Sequence, residues 1–158
     1  MFLFGLFIVL ITILIDQITK LIAISYLWEP TTTLNVFSFL SFTPVENRGI
    51  SFGFFQESGD IGRWLISFFA ITVSIVLIFW LRKQRYKFSS FYIGLVIGGA
   101  LGNVIDRLRQ GWVIDFIDFY VGSWHWPAFN LADAFITSGL FLLFIHNLLR
   151  PQKKNKYK

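Results

Sequence analysis

Long apolar stretches alternate with polar, aromatic-rich connections along the chain. Four stretches carry few charges, at about residues 2–24, 61–81, 88–105 and 131–149. Because a helix needs about 20 mostly apolar residues to cross the hydrocarbon core of a bilayer, each stretch predicts a membrane-spanning helix. The first stretch has no basic segment before it and no small-x-small cleavage site before Trp28, so we interpret it as a retained anchor.

The connection between the first two spans has a different pattern, over about residues 31–55. Residues 31–36 are rich in β-formers, Pro44 breaks the run, and Asn47-Arg48-Gly49 is typical of a turn before a second such run. This pattern predicts a small sheet that rests on the membrane surface and holds an extended peptide by strand addition. The predicted fold class is a mainly α membrane protein with four transmembrane helices and a small extracytoplasmic β-sheet between the first and second spans, in one domain over residues 1–158.

Composition agrees with a bilayer as the solvent. Hydrophobic residues make up 55% of the 158 residues and charged residues only 15%, which leaves more apolar surface than a soluble domain of this size can bury.

Two clusters of Lys and Arg lie on one side of the four spans: Arg82, Lys83, Arg85 and Lys87, then Arg150, Lys153, Lys154, Lys156 and Lys158. The positive-inside rule makes that side cytoplasmic, with a basic cytoplasmic tail at 150–158 and both termini inside. The net charge of +5 is explained by topology and anionic lipid, without nucleic acid as a partner.

Cysteine and histidine limit the available chemistry. The absence of Cys excludes disulfides, thiolate metal sites and a Cys nucleophile, so reactive groups must carry oxygen or nitrogen. The histidines are His125 and His146. His125 lies between two tryptophans, a setting more typical of an interfacial side chain than of a ligand.

Polar residues of different spans converge on the outer side in this topology. Asp16 and Lys20 fall one helical turn apart in the outer half of the first span. The third span reaches the same level with Gly102, Asn103, Asp106 and Arg107, and the fourth begins there with Asn130 and Asp133. A short re-entrant path would bring Asp115 of the second outer connection to the same place. Since ionisable groups near hydrocarbon are costly, we interpret them as functional candidates.

Several of these residues also have purely structural interpretations. Asn130 followed by Asp133 fits a helix N-cap with an acid at the third position. Asp16 with Lys20, and likewise Asp106 with Arg107, fit simple charge pairs. The stripe of Gly94, Gly98 and Gly102 is typical of helix packing.

Two other functions remain possible from the residues alone. Asp115 and Asp118 have the D-x-x-D spacing that holds Mg²⁺ on phosphates in membrane phosphotransferases, although no further acidic cluster completes such a site. Intramembrane Asp residues also occur in proton-coupled transporters, although these four spans show no inverted repeat.

Five motifs, taken in order, resemble those of bacterial lipoprotein signal peptidase, the signal peptidase II family of aspartic peptidases. They are Asp16-Gln17-Ile18-Thr19-Lys20, Asn47-Arg48-Gly49-Ile50-Ser51-Phe52-Gly53, Gly102-Asn103-Val104-Ile105-Asp106-Arg107, Val113-Ile114-Asp115-Phe116 and Phe129-Asn130-Leu131-Ala132-Asp133. The resemblance spans nearly the whole chain. Ser51 stands where the family usually has Ala, and Asp118 receives no role from the resemblance.

The resemblance implies a multi-pass aspartic endopeptidase of the bacterial cytoplasmic membrane, with its active site near the extracytoplasmic surface. It would remove signal peptides from prolipoproteins, on the N-terminal side of a diacylglyceryl-modified cysteine. Its catalytic residues would be Asp115 and Asp133, supported by Asn103, Arg107 and Asn130. The pocket would be shaped or lined by Asp16, Lys20, Asn47 and Gly49. The motif that contains Asn103 and Arg107 also contributes Gly102 and Asp106. The implied partners are lipidated precursors and membrane lipid, the implied inhibitors are globomycin-type cyclic peptides, and no metal or cofactor is implied.

The implied chemistry suits two neighbouring carboxyl groups. Such a pair shares one proton, because two charges so close together cannot both form cheaply. One member then takes a proton from water as it attacks the scissile carbonyl, and the other donates a hydrogen bond to the developing oxyanion. The sequence does not assign the two parts.

Overall fold

The computed structural model describes residues 1–49 and 59–149. The second half of the predicted β region, residues 50–55, and the basic tail from residue 150 lie outside the described residues.

Four long helices account for most of the described chain. They are α1 (Phe2–Leu27), α2 (Gly59–Arg82), α3 (Lys87–Gln110) and α4 (Leu131–Leu148). All four are long and apolar enough to cross a membrane, which confirms the four predicted spans. α3 continues five residues beyond its predicted end at 105 and ends where Gly111 adopts a left-handed conformation, with φ 89°. Asp106 and Arg107, which suggested an earlier boundary, stay helical because their side chains are bonded inside the protein.

The third helix, α3, forms the centre of the bundle. Of its most apolar 18 residues 67% are buried, against 17–22% in the other three helices. Glycines make the close approach possible: a Cβ on Gly94 would lie 2.9 Å from the Gly5 carbonyl oxygen, and one on Gly98 would lie 2.9 Å from that of Val9. The predicted packing stripe therefore lies against α1. Val9, Leu81, Ile93, Ile97 and Leu143 form the core of the bundle.

A four-stranded antiparallel sheet covers the end of the bundle at which α1 and α3 end and α4 begins. Its strands are β1 (Leu34–Phe37), β2 (Leu40–Asn47), β3 (Val113–Val121) and β4 (Trp124–His125), in that spatial order. The predicted sheet is confirmed, but half of its strands come from the second outer connection. Asp115 is thus carried on β3 and not on a re-entrant path. A strand is favoured because Ile114 and Phe116 pack with Ala23 and Leu27 at the end of α1.

Pro44 lies within β2 and does not end it. The pairing of β2 with β3 shifts between Phe42 and Val45, where three steps along β2 match two along β3. Pro44 falls in this bulge, the position in a sheet that tolerates a residue without an N–H donor. The bulge keeps β2 going to Asn47, which brings that side chain to the level of Asp115.

Candidate active site

Asp115 lies on β3 with its carboxylate turned into the protein. The residue is 1% exposed. Its Oδ2 accepts a hydrogen bond from Asn47 Nδ2 at 2.8 Å, and its Oδ1 accepts one from Asn130 Nδ2 at 2.6 Å. Burial, followed by the nearby charge of Asp133, raises the pKa of Asp115 from 3.8 to about 7, although both amide donors act to lower it. A side chain with such a pKa can hold or release a proton near neutrality.

Asp133 occupies the third position of α4, where it closes a capping box. Its Oδ2 accepts from the backbone N–H of Asn130 at 3.2 Å, while Asn130 Oδ1 accepts from the backbone N–H of Asp133 at 3.1 Å. The same carboxylate reaches beyond its own helix, since its Oδ1 accepts from Asn103 Nδ2 of α3 at 2.8 Å. The capping interpretation is therefore confirmed, and it does not compete with a second role in the site.

Asn130 connects the two carboxylates. Its side-chain amide donates to Asp115 and its backbone amide donates to Asp133, so one residue fixes both groups. Asn130 is fully buried and also donates to Asn103 Oδ1 at 3.1 Å. We call Asp115 and Asp133 the aspartate pair. In the described part of the chain, neither member has a Lys or Arg nitrogen within ion-pair distance, and their hydrogen-bond donors are all neutral amides.

Lys20 holds a second group of carboxylates beside the first. Its ammonium lies 2.9 Å from Asp16 Oδ2, 2.7 Å from Asp106 Oδ2 and 2.8 Å from Asn103 Oδ1, so each of its three hydrogens has an acceptor. Lys20, Asp16 and Asp106, all at most 2% exposed, form what we call the Lys20 cluster. Asn103 joins it to the aspartate pair.

Asp16 also ties α1 to the start of α4. Its Oδ1 accepts from the backbone N–H of Ala132 at 3.0 Å. Gly102 makes room for this carboxylate, because a Cβ at that position would collide with Asp16 Oδ2. Gln17 closes the cluster by donating to Asp106 Oδ1 at 3.0 Å and to Asp16 Oδ2 at 3.2 Å.

Arg107 holds the turn that carries Asn47. Its Nη2 donates to the Gly49 carbonyl at 2.8 Å, and the backbone N–H of Gly49 donates to Asn47 Oδ1 at 3.1 Å. The predicted turn at Asn47-Arg48-Gly49 is thus present, and the cation that holds it, Arg107, comes from α3. Asn47 Nδ2 is left to face Asp115.

Comparison with known proteins identifies the family. The family model for signal peptidase (SPase) II matches residues 8–149, which is most of the chain. The chain belongs to the signal peptidase II family. A lipoprotein signal peptidase of Burkholderia thailandensis is 44% identical over 142 residues, which cover 89% of this chain and 85% of that protein. One of Alteromonas mediterranea is 42% identical over 126 residues, 78% of this chain and 69% of that protein.

Solved structures give the same result for the fold. A bacterial membrane enzyme determined by the in meso method at 2.3 Å resolution superposes with a TM-score of 0.78 at 28% identity, covering 98% of this chain and 93% of that one. A second such enzyme, at 1.9 Å resolution, gives a TM-score of 0.77 at 29% identity, covering 93% and 94%. As a signal peptidase II with four spans, the protein is a multi-pass membrane aspartic peptidase.

The site of this signal peptidase II differs from the sequence interpretation in one pairing. Asp106 and Arg107 were expected to pair with each other, but Asp106 bonds to Lys20 and Arg107 bonds to Gly49. Adjacent residues on a helix point about 100° apart, so they do not face each other. The expected pair of Asp16 with Lys20, which are four residues apart, is confirmed.

Asp118 belongs to a separate polar group on the outer sheet. Its carboxylate lies 2.8 Å from His125 Nδ1 and 3.3 Å from Ser41 Oγ. Residues three apart on a strand point to opposite faces, so Asp115 and Asp118 cannot grip one ion together. The D-x-x-D spacing is therefore not a metal site on this strand, and no group of three or more potential ligands occurs within residues 1–49 and 59–149.

Sequence reasoning did not select three residues that the structure brings into these networks. Gln17 stood inside a quoted motif, and its amide beside Asp16 was the available signal. His125 was expected to be an interfacial side chain, and although 54% of its side chain is exposed it is held by Asp118. Ser41 gave no sequence signal, since its contact with Asp118 depends on the register of β2 against β3.

Proposed function

We propose that the protein cleaves signal peptides from prolipoproteins, on the N-terminal side of a diacylglyceryl-modified cysteine, with the aspartate pair as its catalytic dyad. The observation that carries the proposal is the bridge by Asn130. Its side-chain amide donates a hydrogen bond to Asp115 at 2.6 Å, and its backbone N–H donates one to Asp133 at 3.2 Å. Held in this way without a directly bonded cation, the two carboxyls share one proton. Relatives named lipoprotein signal peptidase support the choice of substrate.

The aspartate pair acts on water and on the scissile carbonyl. The ionised member takes a proton from the attacking water, and the protonated member donates a hydrogen bond to the oxygen of the carbonyl as it becomes an oxyanion. Collapse of the tetrahedral intermediate returns the proton to the leaving amine of the cysteine. The reaction needs neither a covalent acyl intermediate nor a metal ion in this scheme.

The remaining polar residues of the site keep this arrangement in place. Asn103 and Asn130 fix the two carboxylates through hydrogen bonds, and Asn47 donates to Asp115 from the turn that Arg107 holds. The Lys20 cluster neutralises its own charges and anchors α1 against α3 and α4. We assign these residues to positioning and not to chemistry.

We also propose that both termini are cytoplasmic and that the aspartate pair works at the outer membrane surface. The basic end of the bundle supports this orientation: Arg82 lies 5.2 Å over the Phe2 ring and Lys87 lies 5.1 Å over the Phe4 ring. The protein contains no Cys, so single cysteines report topology directly. A Lys83→Cys variant should label only from the cytoplasm, and Val121→Cys, which is 74% exposed, only from outside.

Cleavage of a lipidated precursor by the purified protein in detergent, with chelator present, tests the function. We expect cleavage directly before the lipidated cysteine, and no cleavage of a matched precursor that carries an unmodified cysteine. Globomycin-type cyclic peptides, inhibitors by family resemblance, should block the reaction. Loss of activity on chelation with recovery on adding Mg²⁺ would contradict the dyad.

A further inference from the structure

A cavity of about 470 Å³ opens on the exposed side of α4, beside Asp133. It is lined by side chains from the segment before α4 and from one face of the helix: Trp126, Pro127, Phe129, Asp133, Ala134, Thr137, Ser138 and Phe141. In a bilayer this side of α4 faces lipid, since Phe141 is 62% exposed. The cavity is therefore open to acyl chains from the side.

The lining changes from charged to apolar along the helix. An α-helix rises 1.5 Å per residue, so Thr137 lies about 6 Å and Phe141 about 12 Å beyond Asp133, toward the bilayer interior. Hydroxyl groups thus separate the acid at one end of the cavity from the phenyl ring at the other. This order matches a ligand with a polar linker between its reactive end and its apolar end.

Thr137 is the unusual member of this lining. Thr72, an exposed threonine on α2, donates its hydroxyl to the Phe68 carbonyl at 2.8 Å, and Ser138 donates to the Phe135 carbonyl at 3.3 Å. Thr137 Oγ1, by contrast, makes no hydrogen bond to any of residues 1–49 and 59–149. Thr137 is exposed on the lining of the cavity, so its hydroxyl is available to a ligand that carries an acceptor at this depth.

We propose that this cavity binds the diacylglyceryl group of the substrate cysteine, and that Thr137 donates a hydrogen bond to one of its ester carbonyls. The inference rests on the proposed function. With the scissile carbonyl at the aspartate pair, the modified cysteine follows directly on the leaving side. Its thioether and glycerol carbons, when extended, are long enough to span one helical turn. The acyl chains then continue past Phe141 into the bilayer.

The apolar end of the cavity suits an acyl chain. Phe129 and Phe141 line the cavity, and Phe141 lies on the exposed side of α4. An acyl chain in the cavity can therefore continue from it directly into the bilayer.

A pair of lipopeptide substrates tests the role of Thr137. One carries ester-linked chains and the other carries ether-linked chains of the same length, which lack the carbonyl acceptor. Thr137→Val, which keeps the shape and removes the hydroxyl, should raise KM for the ester substrate roughly 2- to 10-fold, leave kcat unchanged and leave the ether substrate unaffected. Thr72→Val is the matched control and should change neither substrate. Equal values of KM for the ester substrate in Thr137→Val and wild type would overturn the proposal.

A second variant tests where the acyl chains lie. Ser138→Phe fills the cavity and should lower kcat/KM about tenfold for long-chain substrates, by excluding two or more methylene groups, while an acetyl-ester substrate is cleaved as before. An equal loss for both chain lengths would place the signal peptide, and not the lipid, in the cavity. If wild-type protein cleaves none of these lipopeptides the proposed function itself fails; if it cleaves them and no variant distinguishes them, only the lipid site fails.

Discussion

The Lys20 cluster and the aspartate pair are neighbours, yet their carboxylates have different partners. Asp16 and Asp106 each bond directly to one buried ammonium, at 2.9 and 2.7 Å. Asp115 and Asp133 accept hydrogen bonds from neutral amides only, among the described residues. A carboxylate bonded directly to a buried cation is held in place by it, whereas one surrounded by neutral donors and another acid has no fixed counter-charge and can exchange a proton. In the proposed mechanism, Asp16 and Asp106 therefore build the site and Asp115 and Asp133 react in it.

Removing either reactive acid should have the largest effect on activity. Asp115→Asn and Asp133→Asn should each lower kcat by at least about 100-fold, because each removes the shared proton arrangement, and the double variant should be no worse than either single one. Asn at position 133 remains polar, so the loss of helix capping should cost only about 1 kcal/mol of unfolding free energy. Rates of lipopeptide cleavage and thermal unfolding in detergent measure the two effects.

Asp118→Asn is the matched control for these variants. It lies on the same strand but on the opposite face, paired with His125, so its loss should leave cleavage near the wild-type rate. Substantial turnover by folded Asp133→Asn protein would refute the assignment of the dyad.

Breaking the Lys20 cluster should act on stability instead. Lys20→Met leaves Asp16 and Asp106 buried without their cation, a change that typically costs about 3–5 kcal/mol of unfolding free energy. Lys87→Met, at the other end of the bundle, removes a cation that lies over Phe4 and should cost much less. The measurement is the unfolding midpoint of both variants in the same detergent. Equal midpoints would show that the cluster is not structural.

Asp16→Asn should be milder than Lys20→Met, since Asp106 still neutralises Lys20. We expect lower stability or weaker substrate binding with detectable cleavage. Complete inactivity in a folded variant with normal substrate affinity would place Asp16 in the chemistry and remove the distinction between the two groups.

The raised pKa of Asp115 should also appear in the pH dependence of stability. The pKa of Asp115 is raised from 3.8 to about 7, so between these pH values the folded protein binds more protons than the unfolded chain. The resulting stabilisation is complete below about pH 4 and is lost as the pH rises to about 7. Wild-type protein should therefore lose more unfolding free energy between pH 5 and 8 than Asp115→Asn does. Parallel curves for the two proteins would contradict the raised pKa.

The smallest predicted effect concerns Asn47. Its amide stabilises the ionised form of Asp115, so Asn47→Ala should raise the pKa of Asp115 further. Because the reaction needs one proton on the pair, the alkaline limb of the kcat–pH profile should move to higher pH by up to about one unit. An unchanged limb with a lower kcat would show that Asn47 positions the turn without influencing the proton.

The sequence predicted the four spans and the convergence of polar residues because hydropathy and the positions of charges follow directly from the bilayer. It did not predict β3. The run Val113–Val121 carries acids three residues apart and lacks simple alternation, because both of its faces are mostly buried over residues 113–118. The resemblance placed Asn130 in the site, but its bond to Asp115 depends on the position of β3, which was not predicted. The ion pair between Lys20 and Asp106 was not predicted either. It depends on the rotation of α1 against α3, which the close packing at the α3 glycines sets.

The most direct test of the account is the infrared spectrum of the carboxyl groups in the folded protein at neutral pH. We expect an absorption from a protonated carboxylic acid that disappears in Asp115→Asn, titrates at lower pH in Asp133→Asn and persists in Asp118→Asn. Titration should remove it at a pH near 7. A wild-type spectrum with only ionised carboxylates down to about pH 4, the ordinary range of an aspartate, would contradict the shared proton and with it the separation of reacting from structural acids.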